Sequence, residues 1–363
     1  MSIRKAHLAA VGVVVAALVA PGAALARTVT VYASGPVSYQ NNLMRTTGAM
    51  VHDFLPETVT INQGDTVVWN GPALAAGGHT LDLPGRSGHD LPLAVPDPTH
   101  PVTDALDAAG KPFWFNGRPS LAFNPMLLAP TADPGGGAYT YDGSARIDSG
   151  IERPPGHSIA VTFTKPGVYH YFCDVHNGMG GTVVVLPKGR TVPSTAQDAA
   201  MLKSQEARDQ VIARRLDRTK ITGDNVSLGE AGADGVEVMA MFPATLHVKV
   251  GTVVTFSMSK LSRDAHTATF GDTSAHGFVT KLAQTALTGP MIDPRAGYPS
   301  APPGGPIQLS PTTNGDGFAN TGLLDRDPGT PNPPSAQIQF TKPGVYHYIC
   351  LIHPMMRGTI IVR

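Results

Sequence analysis

Nine residues, Phe-Thr-Lys-Pro-Gly-Val-Tyr-His-Tyr, occur twice in this chain, at 163–171 and again at 340–348. The residues after each copy are also shared. The first copy continues through Cys173, His176 and Met179 into Gly-Thr-Val-Val-Val; the second continues through Cys350, His353 and Met356 into Gly-Thr-Ile-Ile-Val. Each copy reads as a β-branched and aromatic strand, a tight Cys-x2-His-x2-Met turn and a second strand. A thiolate, an imidazole and a thioether within one turn form a soft donor set, suited to a metal that accepts sulfur. Any fold for this chain must build that strand–turn–strand unit twice.

The duplication reaches further back. Residues 55–69 match 242–256 at an offset of 187, and both stretches read as two strands about a glycine-containing turn. The same offset carries His79 onto His266. The Cys-His-Met turns are offset by 177, so the first copy holds 187 − 177 = 10 more residues between its first histidine and its cysteine. A repeat this long is a duplicated domain, and 363 residues suit two. The chain divides into a leader at 1–26, a first β-domain at 27–187, a linker at 188–235 and a second β-domain at 236–363.

Composition supports short strands joined by many turns: 40 Gly, 33 Pro and only 15% charged residues. Lys+Arg and Asp+Glu balance at 27 each, so nothing marks a nucleic-acid-binding surface. Arg4 and Lys5 precede an apolar run at 8–19 and an Ala-Leu-Ala at 24–26, the pattern of an export signal. The run is shorter than a membrane-spanning helix, so the expected location is extracytoplasmic, periplasmic or secreted, without stable membrane insertion. In an exported chain two cysteines would ordinarily suggest a disulfide. Here each occupies the same place in its own copy, which favours one metal per thiolate.

A cysteine, two imidazoles and a long axial thioether hold Cu(II) and Cu(I) about equally well. The first copy offers His79, Cys173, His176 and Met179; the second offers His266, Cys350, His353 and Met356. Met355 competes for the last place, but alignment of the copies sets Met356 opposite Met179. Each remote histidine would tie its turn to the far side of a sandwich.

These residues resemble the ligand sets of cupredoxins of the plastocyanin/azurin family, and the Cys-x2-His-x2-Met spacing is similar to the short loop of amicyanin. The resemblance implies an all-β fold of two tandem Greek-key sandwiches, two type 1 copper centres and electron transfer with redox protein donors and acceptors. It also implies that the ring edges of His176 and His353 reach the surface through an apolar patch, with Pro354 and Met355 lining the second. The asparagine that often follows the first histidine in this family is Thr80 and Thr267 here. Alternative readings are a copper oxidoreductase of nitrite reductase or laccase type and a non-redox copper carrier. Against the enzyme stands the absence of any His-x-His pair and of histidines beside either cysteine.

The remaining segments are less regular. Residues 84–145 and 271–316 read as long inserts, each a lid on its own sandwich or else a docking surface. Thr195 is the expected cap of a linker helix laid against one domain. His170 and His347 are expected on a solvated strand face, and His52, His89 and His100 in surface loops.

Overall fold

The computed structural model describes residues 26–70, 78–84, 92, 94–128, 137–151, 158–271, 277–285 and 289–363. Nearly all of the stretch read as an export leader, and His89, lie outside the described residues. Among those described, no helix is long and apolar enough to cross a membrane.

Alternating burial makes each half a two-layer sandwich. In the first half one sheet runs in the order Phe54–Leu55, Thr28–Ala33, Thr66–Asn70, Ile159–Phe163, Gly137–Tyr141. The other runs Ile147–Asp148, Asp82–Leu83, Gly167–Phe172, Gly180–Leu186, Thr58–Asn62. The core between them holds Trp69, Phe54, Phe163 and Tyr171, with Tyr171 edge-on to Trp69 at 5.0 Å and to Phe54 at 4.9 Å. The second half repeats this with Val253–Met258 and Ser335–Phe340 in one sheet and Gly344–Ile349 and Arg357–Val362 in the other. Phe256, Phe270 and Tyr348 fill its core.

The two strands about each glycine turn are not a hairpin. Thr58–Asn62 and Thr66–Asn70 belong to opposite sheets, as do Thr245–Val248 and Val253–Met258. The turn crosses the sandwich, and Gly64 and Gly251 permit it with φ of 94° and 87°. Strand alternation alone cannot reveal this, since it marks a buried face and not a partner.

The second half begins inside the stretch read as linker. Asn225–Ala231 pairs in parallel with Val253–Met258, as Thr28–Ala33 does with Thr66–Asn70. Its equivalence was hidden because it lies eight residues off the main repeat register, Thr30 corresponding to Asn225.

The halves meet through equivalent strands. Ala49–Val51 pairs antiparallel with Val236–Phe242: Val51 faces Val236, Met50 faces Glu237, and Ala49 faces Val238. Positions 49–51 and 236–238 are 187 apart, so each segment meets its own counterpart, as in a two-fold symmetric dimer. Helix α1 (Val37–Thr47) and helix α2 (Thr195–Leu216) close this seam over Tyr39, Leu43, Val51, Leu216, Val236 and Val238. The α2 cap is Ser194, with Gln197 completing a capping box, so the helix starts one residue earlier than the Thr195 cap implied. It also spans the seam, where one domain alone was expected to hold it.

Asp209 on α2 is buried, and the Tyr39 hydroxyl donates to its Oδ2 at 3.1 Å. Burial pushes its carboxyl up to about 7. The unfolded chain loses this proton near pH ~4, earlier than the folded chain, so the group makes stability fall as pH rises from about 4 to about 7. Asp209→Asn should flatten that slope and stabilise the chain near pH ~8 by on the order of 2 kcal/mol, read from urea midpoints on both sides of the window.

The inserts form a shared clasp. Pro119–Phe123 of the first insert pairs with Ala94–Pro101 and also with Met291–Ile292 of the second. Trp114 Nε1 donates to the Pro299 carbonyl at 2.8 Å, and Tyr298 Oη donates to Pro119 at 2.6 Å. Phe113 and Phe115 join Val279, Phe318, Ile349 and Leu351 in one cluster. The first insert thus packs on the second half, contrary to the own-sandwich lid; its aromatic residues seek the apolar surface that the pseudo-symmetric dimer brings nearest.

Candidate metal centres

Cys173 follows strand Gly167–Phe172 directly, and the chain turns before Gly180–Leu186 begins. Two backbone bonds close the turn: Cys173 N–H donates to the Met179 carbonyl at 2.9 Å, and Met179 N–H to His176 at 2.9 Å. The second turn repeats them, Cys350 to Met356 at 3.0 Å and Met356 to His353 at 2.8 Å. Met179 and Met356 are fully buried. The remote histidines do not come from the far side of each sandwich as expected. They lie just before Asp82–Leu83 and Thr269–Phe270, strands that pair with the cysteine strands in the same sheet, and His266 is fixed by a two-way backbone bridge to Leu324.

In the first half His79 Nδ1 and His176 Nδ1 lie 3.0 Å apart, and Cys173 Sγ lies 3.8 and 3.6 Å from them. In the second, His266 Nδ1 and His353 Nδ1 are 3.2 Å apart, with Cys350 Sγ at 3.7 and 3.8 Å. The centre of each triangle lies about 2 Å from its corners, close to metal–nitrogen and metal–sulfur bonding distances for a small transition-metal ion. An S/N/N triangle above a turn carrying a thioether fits copper. Both thiols are free, which leaves each available as a thiolate ligand.

The threonine after each remote histidine does the tying expected of asparagine. Thr80 Oγ1 accepts from Asp174 N–H at 2.8 Å, and Thr267 Oγ1 from Leu351 N–H at 2.9 Å. Thr80 and Thr267 N–H groups each point at the cysteine sulfur, 3.4 Å away. Such contacts hold the sulfur in place and disperse its charge.

The two sets differ in what touches the outer ring nitrogens. Ser34 Oγ is 2.5 Å from His79 Nε2, whereas Glu237 Oε1 is 3.1 Å from His266 Nε2. Asp264 Oδ2 is 3.1 Å from His353 Nε2. Proton affinities follow. Burial brings the His79 imidazole down to about 3 and pushes the Cys173 thiol up to about 11. Burial acts the same way in the second set, but there it is outweighed. Paired with Cys350 and Glu237, His266 rises to about 9, and its contacts with His266 and His353 take Cys350 down to about 5.

The His176 ring does not reach open solvent as expected, whereas His353 is only half-buried. His176 is 4% exposed, and both line one cavity of about 250 Å³ at the seam, beside Arg263 and Asp264. His52, expected in a surface loop, is 1% exposed here. Its ring stacks on His176 at 4.3 Å, and its Nε2 lies 3.7 Å from Asp264 Oδ2. Burial would raise the Asp264 carboxyl, but His353 beside it holds it well below the usual carboxylate range. The contacts run from His176 to His52, Asp264 and His353, joining the two sets. His170 and His347 are exposed on their strands as expected, bonded to Thr182 and Thr359, and His100 is exposed beside Asp97.

Sequence reasoning missed four residues: Ser34, His52, Glu237 and Asp264. Only Asp264 carried a signal, two residues before His266 where the first copy has Gly77. Ser34 follows a strand off the repeat register, His52 acts across the seam, and Glu237, though on register, stands where the first copy has Met50.

Known proteins can be set beside this geometry. Solved structures similar to the chain include an amicyanin variant in its reduced Cu(I) form at pH 4, with 18% identity over 40% of this chain and 87% of the other, TM-score 0.22. Oxidised plastocyanin from Dryopteris crassirhizoma shares 22% over 38% of this chain and 99% of its own, TM-score 0.21. A purple cupredoxin from Nitrosopumilus maritimus shares 18% over 38% and 98%, TM-score 0.20. No curated protein matches the sequence. Residues 142–186, which include Cys173, His176 and Met179, match the family of copper-binding proteins of the plastocyanin/azurin type. What the comparison shows is thus a likeness of that one segment, carrying three of the four proposed donors of the first half, to copper-binding proteins of the plastocyanin/azurin family.

Proposed function

We propose that the chain is an exported electron carrier with one type 1 copper in each half, and that the two centres exchange electrons across the seam. Copper would be held by His79, Cys173, His176 and Met179 and by His266, Cys350, His353 and Met356, supplying a one-electron Cu(II)/Cu(I) couple. The chain's own task is to keep each triangle of donors rigid, so that little moves when the charge changes. The turn bonds, the threonine ties and the buried sandwich do this. The observation that carries the reading is the contact series His176, His52, Asp264, His353, which sets a packed path between the two donor sets. Redox protein donors and acceptors would dock outside the seam; Met355, 59% exposed beside the second set, is an apolar contact point for one of them.

The test is metal analysis and optical spectroscopy of the purified protein, followed by rapid reduction of one centre. Two coppers, intense visible absorption and re-equilibration between centres are expected. His52→Leu should keep both coppers and slow that re-equilibration. Copper bound without reversible reduction would favour a carrier, and nitrite or oxygen turnover by the loaded protein would favour an enzyme.

A further inference from the structure

The two donor sets differ by an exchange of two residues. Thr30 pairs with Val68 and Asn225 with Thr255, and 68 + 187 = 255, so Ser34 and Gly229 stand at equivalent places four residues on. Both have positive φ, 62° and 77°. Met50 and Glu237 are equivalent through the offset of 187 and face each other across the seam. In the first half the Ser34 hydroxyl meets the outer nitrogen of His79. In the second, Gly229 leaves that space empty: a Cβ there would sit 2.7 Å from Glu237 Oε1 and 3.1 Å from His266 Nε2. Glu237 takes the place instead. It is 1% exposed, its Oε1 also accepts from Ser262 at 2.7 Å, and its Oε2 has no partner among the described residues.

We propose that Glu237, admitted by Gly229, makes the second centre the one that favours Cu(II), so that electrons run from the second centre to the first. This rests on the copper reading above. A carboxylate on the outer nitrogen of a ligand imidazole strengthens it as a donor. A buried anion also favours the more highly charged ion, because little solvent screens it. Asp264 adds to this, being closer to His353 at 3.1 Å than to His52 at 3.7 Å. The first half has buried carboxylates of its own, among them Asp53, Asp82, Asp148 and Asp174. These weigh less because each has a guanidinium near it: Arg146 grips Asp82 through two 2.9 Å bonds, lies 3.3 Å from Asp148 and also feels the charge of Asp174, and Arg263 lies 3.0 Å from Asp53. The exposed Met355 edge lies beside the second centre, so the lower-potential centre is also the one nearer solvent.

The experiment measures each centre alone, in the copper-loaded full chain, using Cys173→Ser to isolate the second centre and Cys350→Ser to isolate the first. Redox titration of the visible band should give the second centre the lower potential. Glu237→Gln should shift its Cu(II)/Cu(I) binding ratio at least tenfold toward Cu(I), a rise of about 59 mV, and leave the first centre unchanged. Glu237→Met, which installs the residue of the first half, should do the same, and Glu237→Asp should keep the potential low. Competition with Cu(I) and Cu(II) chelators gives the same ratio without electrodes. Equal or reversed potentials, or a potential indifferent to Glu237→Gln, would overturn the ordering while leaving the copper reading intact. Absence of a visible band in both single-centre forms would overturn that reading and the ordering with it.

Discussion

On the two-copper reading proposed above, Cys350→Ser should bind one copper fewer than the parent, and lose one of two sulfur-to-copper absorption bands while sparing the other. Cys173→Ser should do the converse. Serine keeps the shape of the side chain but removes the soft sulfur, without which two imidazoles and a weak thioether no longer make this kind of centre. The effect extends to stability. A ligand bound only by the folded state at about 1,000 times its dissociation constant adds about 4 kcal/mol. Each cysteine variant should forfeit that gain for one half, seen as a smaller copper-dependent rise in unfolding midpoint. Loss of neither band, or of both together, would contradict two independent centres.

Gly358→Ala should be the most damaging small substitution in either sandwich. A Cβ at 358 would fall 2.2 Å from Tyr348 Cζ and 2.3 Å from its hydroxyl oxygen, and Tyr348 is 1% exposed between Phe256 and Phe270. The ring has nowhere to go, so the strand pair or the core must shift. Overpacking of this kind costs about 3 kcal/mol. Gly181 stands in the same relation to Tyr171, with a Cβ 2.3 Å from the ring and 2.9 Å from the Glu57 carbonyl. Both strands run straight into the Cys-His-Met turns, so each variant should also weaken copper binding by its own half. Urea unfolding of the metal-free variants, with unchanged slope and lowered midpoint, checks the first expectation, and copper titration the second.

Much of the site was legible in the sequence. Cys-x2-His-x2-Met is local chemistry: three donors within seven residues can meet only if the chain turns, and alternating strands on either side make it turn. The remote histidines were readable because the duplication aligned His79 with His266. Thr80 and Thr267 were visible as departures from asparagine, but that a hydroxyl performs the same tie required seeing it face Asp174 and Leu351 N–H. The linker helix was legible from its apolar spacing; its resting place was not.

What the amino-acid order determined by itself was therefore the β-character of the two halves, the donor sets and the position of α2, since these depend on neighbours a few residues apart or on repetition of one pattern. Tertiary structure alone decided that residues 49–51 would pair with 236–238, that the first insert would cross to the second half, and that His52 and Asp264 would stand between the two sets. Those contacts join residues as far apart as 212 positions (52 to 264), beyond the reach of local pattern. Pattern and periodicity specify which face is buried; only the packed chain specifies against what.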